Sequence, residues 1–136
     1  KVITLFIASG GGSVIDSFAL YDYIMCALKP KLQTVALGEV NSSAVMLFLM
    51  GELRYIGDLA LIRLHRFSLV IADSLVSKNA LRASGDLNRS ESKYIDILIK
   101  RTNGKITRET ANALLDDKVV ITPNQAVKLG LAHKIL

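Results

Sequence analysis

The chain has 136 residues, 51% of them hydrophobic and 21% charged, with a net charge of +5. Such a composition supplies a real core for one domain and excludes a disordered or low-complexity chain. The single cysteine, Cys26, excludes an internal disulfide and a multi-cysteine zinc site.

Positive charge is uneven. Residues 69–136 carry 11 basic and 7 acidic side chains, and residues 1–68 carry 6 and 5. The excess is dispersed and lacks interleaved aromatics, so it reads as solvated helix faces rather than a nucleic-acid surface. The apolar run Ala44 to Met50 stops at Gly51, far short of the roughly 20 residues that span a bilayer. Cys26, between Met25 and Ala27, reads as a small core residue on a helix, and a reducing cytoplasm suits it.

Val2 to Ala8 reads as a buried strand and Ser9-Gly10-Gly11-Gly12 as a tight turn. Ser13 can cap a helix whose stripe is Val14, Phe18, Tyr21, Met25 and Leu28, with Pro30 ending it. Leu32 to Leu37 is a second strand, closed by Gly38. Ser42 to Met50 is apolar almost all round and reads as a buried helix. Arg54 to Ile56 and Ala60 to Leu64 read as short strands. The alternation predicts parallel pairing with right-handed crossovers. Residues 69–101 read as one long helix or two pieces, weakened near Ala83-Ser84-Gly85. Thr107 starts a helix ending near Asp117. Thr122-Pro123-Asn124-Gln125 is a strong helix start, Gly130 stops that helix, and Leu131 to Leu136 is a closing strand or tail. No linker or repeat divides residues 1–136, so one domain is expected.

Three places could carry chemistry. The glycine turn lacks the lysine of a P-loop, and Ile15 stands where a dinucleotide-binding turn needs a small residue. It is either a plain turn or a set of bare N–H groups that suit an oxyanion. Ser42 and Ser43 stand where a strand passes into a helix, as simple N-caps or as a nucleophile at the positive helix end. The surroundings are not a G-x-S-x-G elbow. His65 follows a strand, and strand ends are where parallel sheets assemble sites, although a lone histidine is more often structural.

These pieces fall in the order used by the Clp protease proteolytic subunits, which the chain resembles from about Val2 to its end. The segments that carry the likeness are Ile7 to Val14, Leu20-Tyr21-Asp22, Lys29-Pro30, Gly38 to Val45, Arg54-Tyr55, Arg63-Leu64-His65 and Thr122 to Leu131. The resemblance implies an α/β fold, the crotonase-like spiral of ββα units with a long handle helix from residues 69–101. It implies a serine endopeptidase with Ser42 as nucleophile, His65 as base and Asp116, or in reserve Asp117, as the third member. The N–H groups of Gly12 and Ser43 would form the oxyanion hole. It implies no metal or bound cofactor, seven-membered rings stacked in pairs, unfolded polypeptide as substrate, and an AAA+ unfoldase partner that uses ATP. The family's N-terminal axial segment is expected to be missing from this chain. Two alternatives stand beside it. One is a catalytically silent ring subunit of the same family. The other is an acyl-CoA enzyme of the wider crotonase-like class, for which Glu39 is the tempting carboxylate.

Overall fold

The computed structural model describes residues 1–68 and 77–136. Strand β1 (Ile3–Ser9) leads through the glycine turn into helix α1 (Val14–Asp22). The Ser13 hydroxyl accepts the Asp16 N–H and caps α1, as its position predicts. The helix widens into a π-helical segment, Tyr23–Leu28, and closes where Lys29 turns left-handed before Pro30. Cys26 is exposed on this segment rather than in the core, because the stripe that packs inward is Phe18 and Tyr21, on other faces of the coil.

Strand β2 (Leu32–Asn41) does not stop at Gly38 as expected. Gly38 takes a positive φ of 58°, and the strand continues past it. The reason is that β2 serves two neighbours on one side. Gln33–Ala36 pair with β3 (Leu53–Ile56), and Glu39–Asn41 pair with β4 (Leu61–Arg63), both in parallel. Strand β1 also pairs with β2 in parallel, with a register shift between Ile7 and Ser9. Between β2 and β3 lies helix α2 (Ala44–Leu49), whose Met46, Phe48 and Leu49 are wholly buried. Parallel pairing requires such crossovers, and a helix enclosed on every side must be apolar on every side.

Helix α3 (Ser77–Arg101) is continuous through Gly85. Residues 69–76, expected as the beginning of this helix, lie outside the described residues. After it come α4 (Arg108–Asp116), β5 (Val120–Ile121), α5 (Pro123–Lys128) and β6 (Lys134–Ile135). Helix α5 carries the full Thr122–Gln125 capping box. The two-residue strand β5 was not foreseen; it pairs antiparallel with β4, placing Ile121 opposite Ile62 and Val120 opposite Arg63.

One buried cation joins these elements. The Arg54 side chain is 4% exposed. Its Nε donates to the Leu131 carbonyl at 2.7 Å and its Nη1 to Gly51 at 3.0 Å. Its Nη2 donates to the carbonyls of Arg101 at 2.8 Å and Gly130 at 2.9 Å. The Arg101 carbonyl closes α3, and those of Gly51, Gly130 and Leu131 lie just beyond the C-caps of α2 and α5. Four carbonyl dipoles face one guanidinium. Burial, aided by Arg101, lowers the Arg54 pKa to about 10, so it stays protonated at neutral pH. Arg101 adds a second clamp, donating to Leu49 at 2.6 Å and Gly51 at 2.8 Å. Gly51 has no room for a side chain, since a Cβ there would lie 2.4 Å from Thr34 Oγ1.

His133 completes the cluster. Its Nδ1 accepts the Arg54 backbone N–H at 2.9 Å, so the folded ring is held neutral. Burial first, then the charges of Arg54, Arg101 and Lys105, hold its pKa below the ordinary value of 6.5. Below that value the unfolded chain gains a proton that the folded ring resists, so this site stabilises less as the pH falls. The stability advantage of the wild type over His133→Gln is therefore expected to shrink between pH 7 and pH 5. Urea unfolding at the two pH values measures it, and an advantage that grew on acidification would contradict the neutral-ring geometry.

Candidate active site

Ser42 sits on the turn between β2 and α2 and takes a left-handed conformation, φ 55°, which costs a non-glycine residue about 1–3 kcal/mol. Its surroundings hold it there. Its N–H donates to the Arg63 carbonyl at 2.9 Å, at the end of β4. Its carbonyl accepts the Val45 N–H at 3.0 Å and the Tyr94 hydroxyl at 3.0 Å. Gly11 presses on the same turn from the other side. A Cβ at Gly11 would lie 2.7 Å from the Asn41 carbonyl oxygen and 2.8 Å from Ser42 Cβ, so only glycine fits.

Ser42 and His65 line one cavity of about 450 Å³, together with Gly12, Val14, Phe67 and Leu87. Gly12 also lines a smaller cavity with Ser43, which occupies the N-cap position of α2 and is 2% exposed. The fold thus brings Ser42, His65 and Gly12 together, with Ser43 beside them. Among the described residues no hydrogen bond joins the Ser42 hydroxyl to His65. The His65 Nδ1 lies 2.7 Å from the Arg66 carbonyl oxygen. A carbonyl can only accept, so Nδ1 carries the proton and Nε2 is left as the basic nitrogen.

Among the described residues no hydrogen bond joins Asp116 to His65, the contact that the triad expectation names. Arg66 takes the carboxylate instead, with Nε at 2.6 Å from Oδ1 and Nη2 at 2.9 Å from Oδ2. The reason is local. Arg66 directly follows His65 and reaches the C-terminal end of α4, where a carboxylate opposed by the helix dipole gains from a forked cation. That hydrogen bonding holds the Asp116 pKa below the usual carboxylate range. Asp117, the reserve choice, forms the C-cap of α4 through its backbone N–H to Ala113. Lys118 is the neighbour that reaches the His65 strand end, where it lines a second cavity with Arg63, His65 and Arg66. Glu39 is fully engaged at the surface by Arg63 at 2.6 Å and Asn41 at 2.9 Å. These bonds keep it ionised and occupied.

Two residues of α3 escaped the sequence reading. Tyr94, wholly buried, holds the Ser42 carbonyl and packs edge-on against Phe67 at 5.3 Å. One turn earlier, Glu91 accepts Arg66 Nη1 at 2.5 Å and the Phe67 N–H at 3.0 Å. One helix face therefore grips both the serine turn and the histidine strand end. The available signal was the spacing Ala83, Leu87, Ser90, Tyr94, a stripe of fours and threes.

Comparison with known proteins adds the family. The model of the Clp protease family matches residues 1–136. The "ATP-dependent Clp protease proteolytic subunit 2" of Leifsonia xyli is 29% identical over 136 residues, covering 98% of this chain and 60% of that protein. The protein of the same name from Borreliella burgdorferi is 29% identical over 146 residues, covering 100% and 67%. The "ATP-dependent Clp protease proteolytic subunit" of Dehalococcoides mccartyi is 29% identical over 138 residues, covering 100% and 66%. The chain thus spans 60–67% of the length of these relatives.

The strain at Ser42 is testable without any substrate. Glycine adopts the left-handed turn freely, and alanine does not. Ser42→Gly is expected to be more stable than Ser42→Ala by about 0.5–1 kcal/mol in urea unfolding. The reverse order would mean that the turn is not strained in solution.

Proposed function

The chain belongs to the Clp protease family, and we propose that it is a serine endopeptidase subunit of a Clp-type compartmental protease. The supporting observation is the shared cavity of Ser42, His65 and Gly12, with the serine on a left-handed turn. In this reading His65 Nε2 takes the Ser42 hydroxyl proton as the oxygen attacks a peptide carbonyl. The N–H groups of Gly12 and Ser43 receive the oxyanion, each such donor lowering the barrier by about 2.7–4 kcal/mol. The proton then passes to the leaving amine, and water releases the acyl group.

For Asp116 to orient His65, the ring Nδ1 would have to turn from the Arg66 carbonyl to the carboxylate. Until then the Arg66 carbonyl fixes the same tautomer, with less charge to stabilise an imidazolium. The site would need no metal or cofactor. Stacked heptameric rings in the cytoplasm, unfolded polypeptide as substrate and an AAA+ unfoldase that uses ATP complete the proposal. Among the described residues no helix is long and apolar enough to cross a membrane.

A second reading has its own support. Asp116 is held by Arg66, and a cation, Lys118, lines the cavity at His65. A ring subunit that contributes structure but no turnover would have such a site. A fluorophosphonate probe separates the two. An active site labels at Ser42, loses all labelling in Ser42→Ala, and labels about 100- to 10,000-fold more slowly in His65→Ala. A chain that assembles yet never labels is the silent subunit.

A further inference from the structure

The ring of His65 is oriented by a backbone group. Its Nδ1–H donates to the Arg66 carbonyl oxygen at 2.7 Å, and that oxygen belongs to the peptide unit joining Arg66 to Phe67. The N–H of the same unit, that of Phe67, donates to Oε2 of Glu91 on α3 at 3.0 Å. In a trans peptide the C=O and N–H point in opposite directions. Imidazole and carboxylate therefore stand on opposite sides of one planar group. An anion on the N–H makes the amide oxygen a stronger acceptor, because hydrogen bonds in a chain polarise one another.

Building on the endopeptidase reading, we propose that Glu91 is the positioning residue for His65, acting through the Arg66–Phe67 peptide where a triad aspartate would act by direct contact. The carboxylate is well held. Its Oε1 accepts Arg66 Nη1 at 2.5 Å while Oε2 keeps the Phe67 N–H. The Glu91 side chain is 15% exposed against 58% for Asp116, so water screens its charge less. Arg66 is shared between the two acids, so the three side chains carry one net negative charge next to the histidine. The other charged groups lining the two cavities at His65 are Asp86, Arg63 and Lys118. Asp86 pairs with Arg89 and Arg63 with Glu39, which leaves Lys118 as the cation opposing the set. The peptide keeps the proton on Nδ1, so Nε2 faces the reaction as the base. The negative charge behind it stabilises the imidazolium that forms when Nε2 takes the Ser42 proton.

The test has a readout that needs no turnover. The two histidines hold opposite tautomers, with the proton on Nδ1 in His65 and on Nε2 in His133, whose Nδ1 accepts the Arg54 N–H. Nitrogen-15 NMR of the histidine-labelled chain, in solution or as a sedimented assembly, distinguishes them at about pH 8.5, above the ordinary histidine range. Glu91→Ala is expected to move His65 toward the Nε2–H form while His133 keeps its own. It should also lower kcat for peptide hydrolysis by about a hundredfold. Glu91→Gln keeps an acceptor for the Phe67 N–H without the charge. It should preserve the tautomer and lower kcat by about tenfold, with KM unchanged. Both losses fall in the range of about 10- to 100-fold typical of carboxylates that orient metal-bound histidines. A His65 that stays on Nδ1 in Glu91→Ala, a wild-type kcat in Glu91→Gln, or a loss carried by KM overturns the proposal. If His133 also changes form in Glu91→Ala, that variant has lost its fold and Glu91→Gln decides by its kcat. The enzyme reading fails separately, when the phosphonate never labels the unmodified chain; the tautomer shift reports on the peptide link alone.

Discussion

A single guanidinium, that of Arg54, meets the last carbonyl of α3 and carbonyls just beyond the ends of α2 and α5 inside the molecule. Such a charge is costly to bury, and it is offset by four carbonyl acceptors, one of which, Gly51, it shares with Arg101. A carbonyl left stranded would cost about 1–3 kcal/mol. The converging carbonyl dipoles replace a carboxylate partner, and His133 accepts the backbone N–H of the same residue. The end of α3 is thereby anchored to β3 and to the end of α2. That anchor sets where the rest of α3 must run.

The route of α3 matters because the site hangs from it. Tyr94 reaches the serine turn, and Glu91 reaches the two residues after His65. The sheet supplies the complementary constraint. Strand β2 continues past Gly38 so that its end pairs with β4, and the Ser42 N–H then bonds the last residue of β4. Nucleophile and base candidates are thus tied to each other by backbone, and both are tied to one helix. Gly11 closes the other side of the turn by the absence of a side chain. The strained serine conformation persists because all these contacts determine it together.

Much of this was legible in the residues. The capping signals at Ser13, Thr107 and Thr122 placed three helices correctly, because a cap is a local hydrogen bond that needs no tertiary context. The apolar run after Ser43 announced a fully enclosed helix. Other features depended on partners far along the chain. Gly38 reads as a stop, yet the strand continues because β4 pairs with its far half. Strand β5 has only two residues and no pattern of its own. Cys26 looked internal from its neighbours, but a π-helical segment turns it outward. At the site, the nearness of Ser42 and His65 was legible only through the family resemblance, since nothing local links them. The fate of Asp116 was not legible at all. It depends on Arg66, an ordinary surface cation by sequence, reaching 50 residues along the chain.

The central claim is that Ser42 and His65 act as one chemical unit. A double-mutant cycle on peptide hydrolysis, with Ser42→Ala, His65→Ala and both together, tests it most directly. Residues that act as a unit are strongly non-additive, so the double variant should be no slower than the slower single variant. If the two losses instead multiply, or if either variant hydrolyses peptide at the wild-type rate, the pair is not the catalytic unit described.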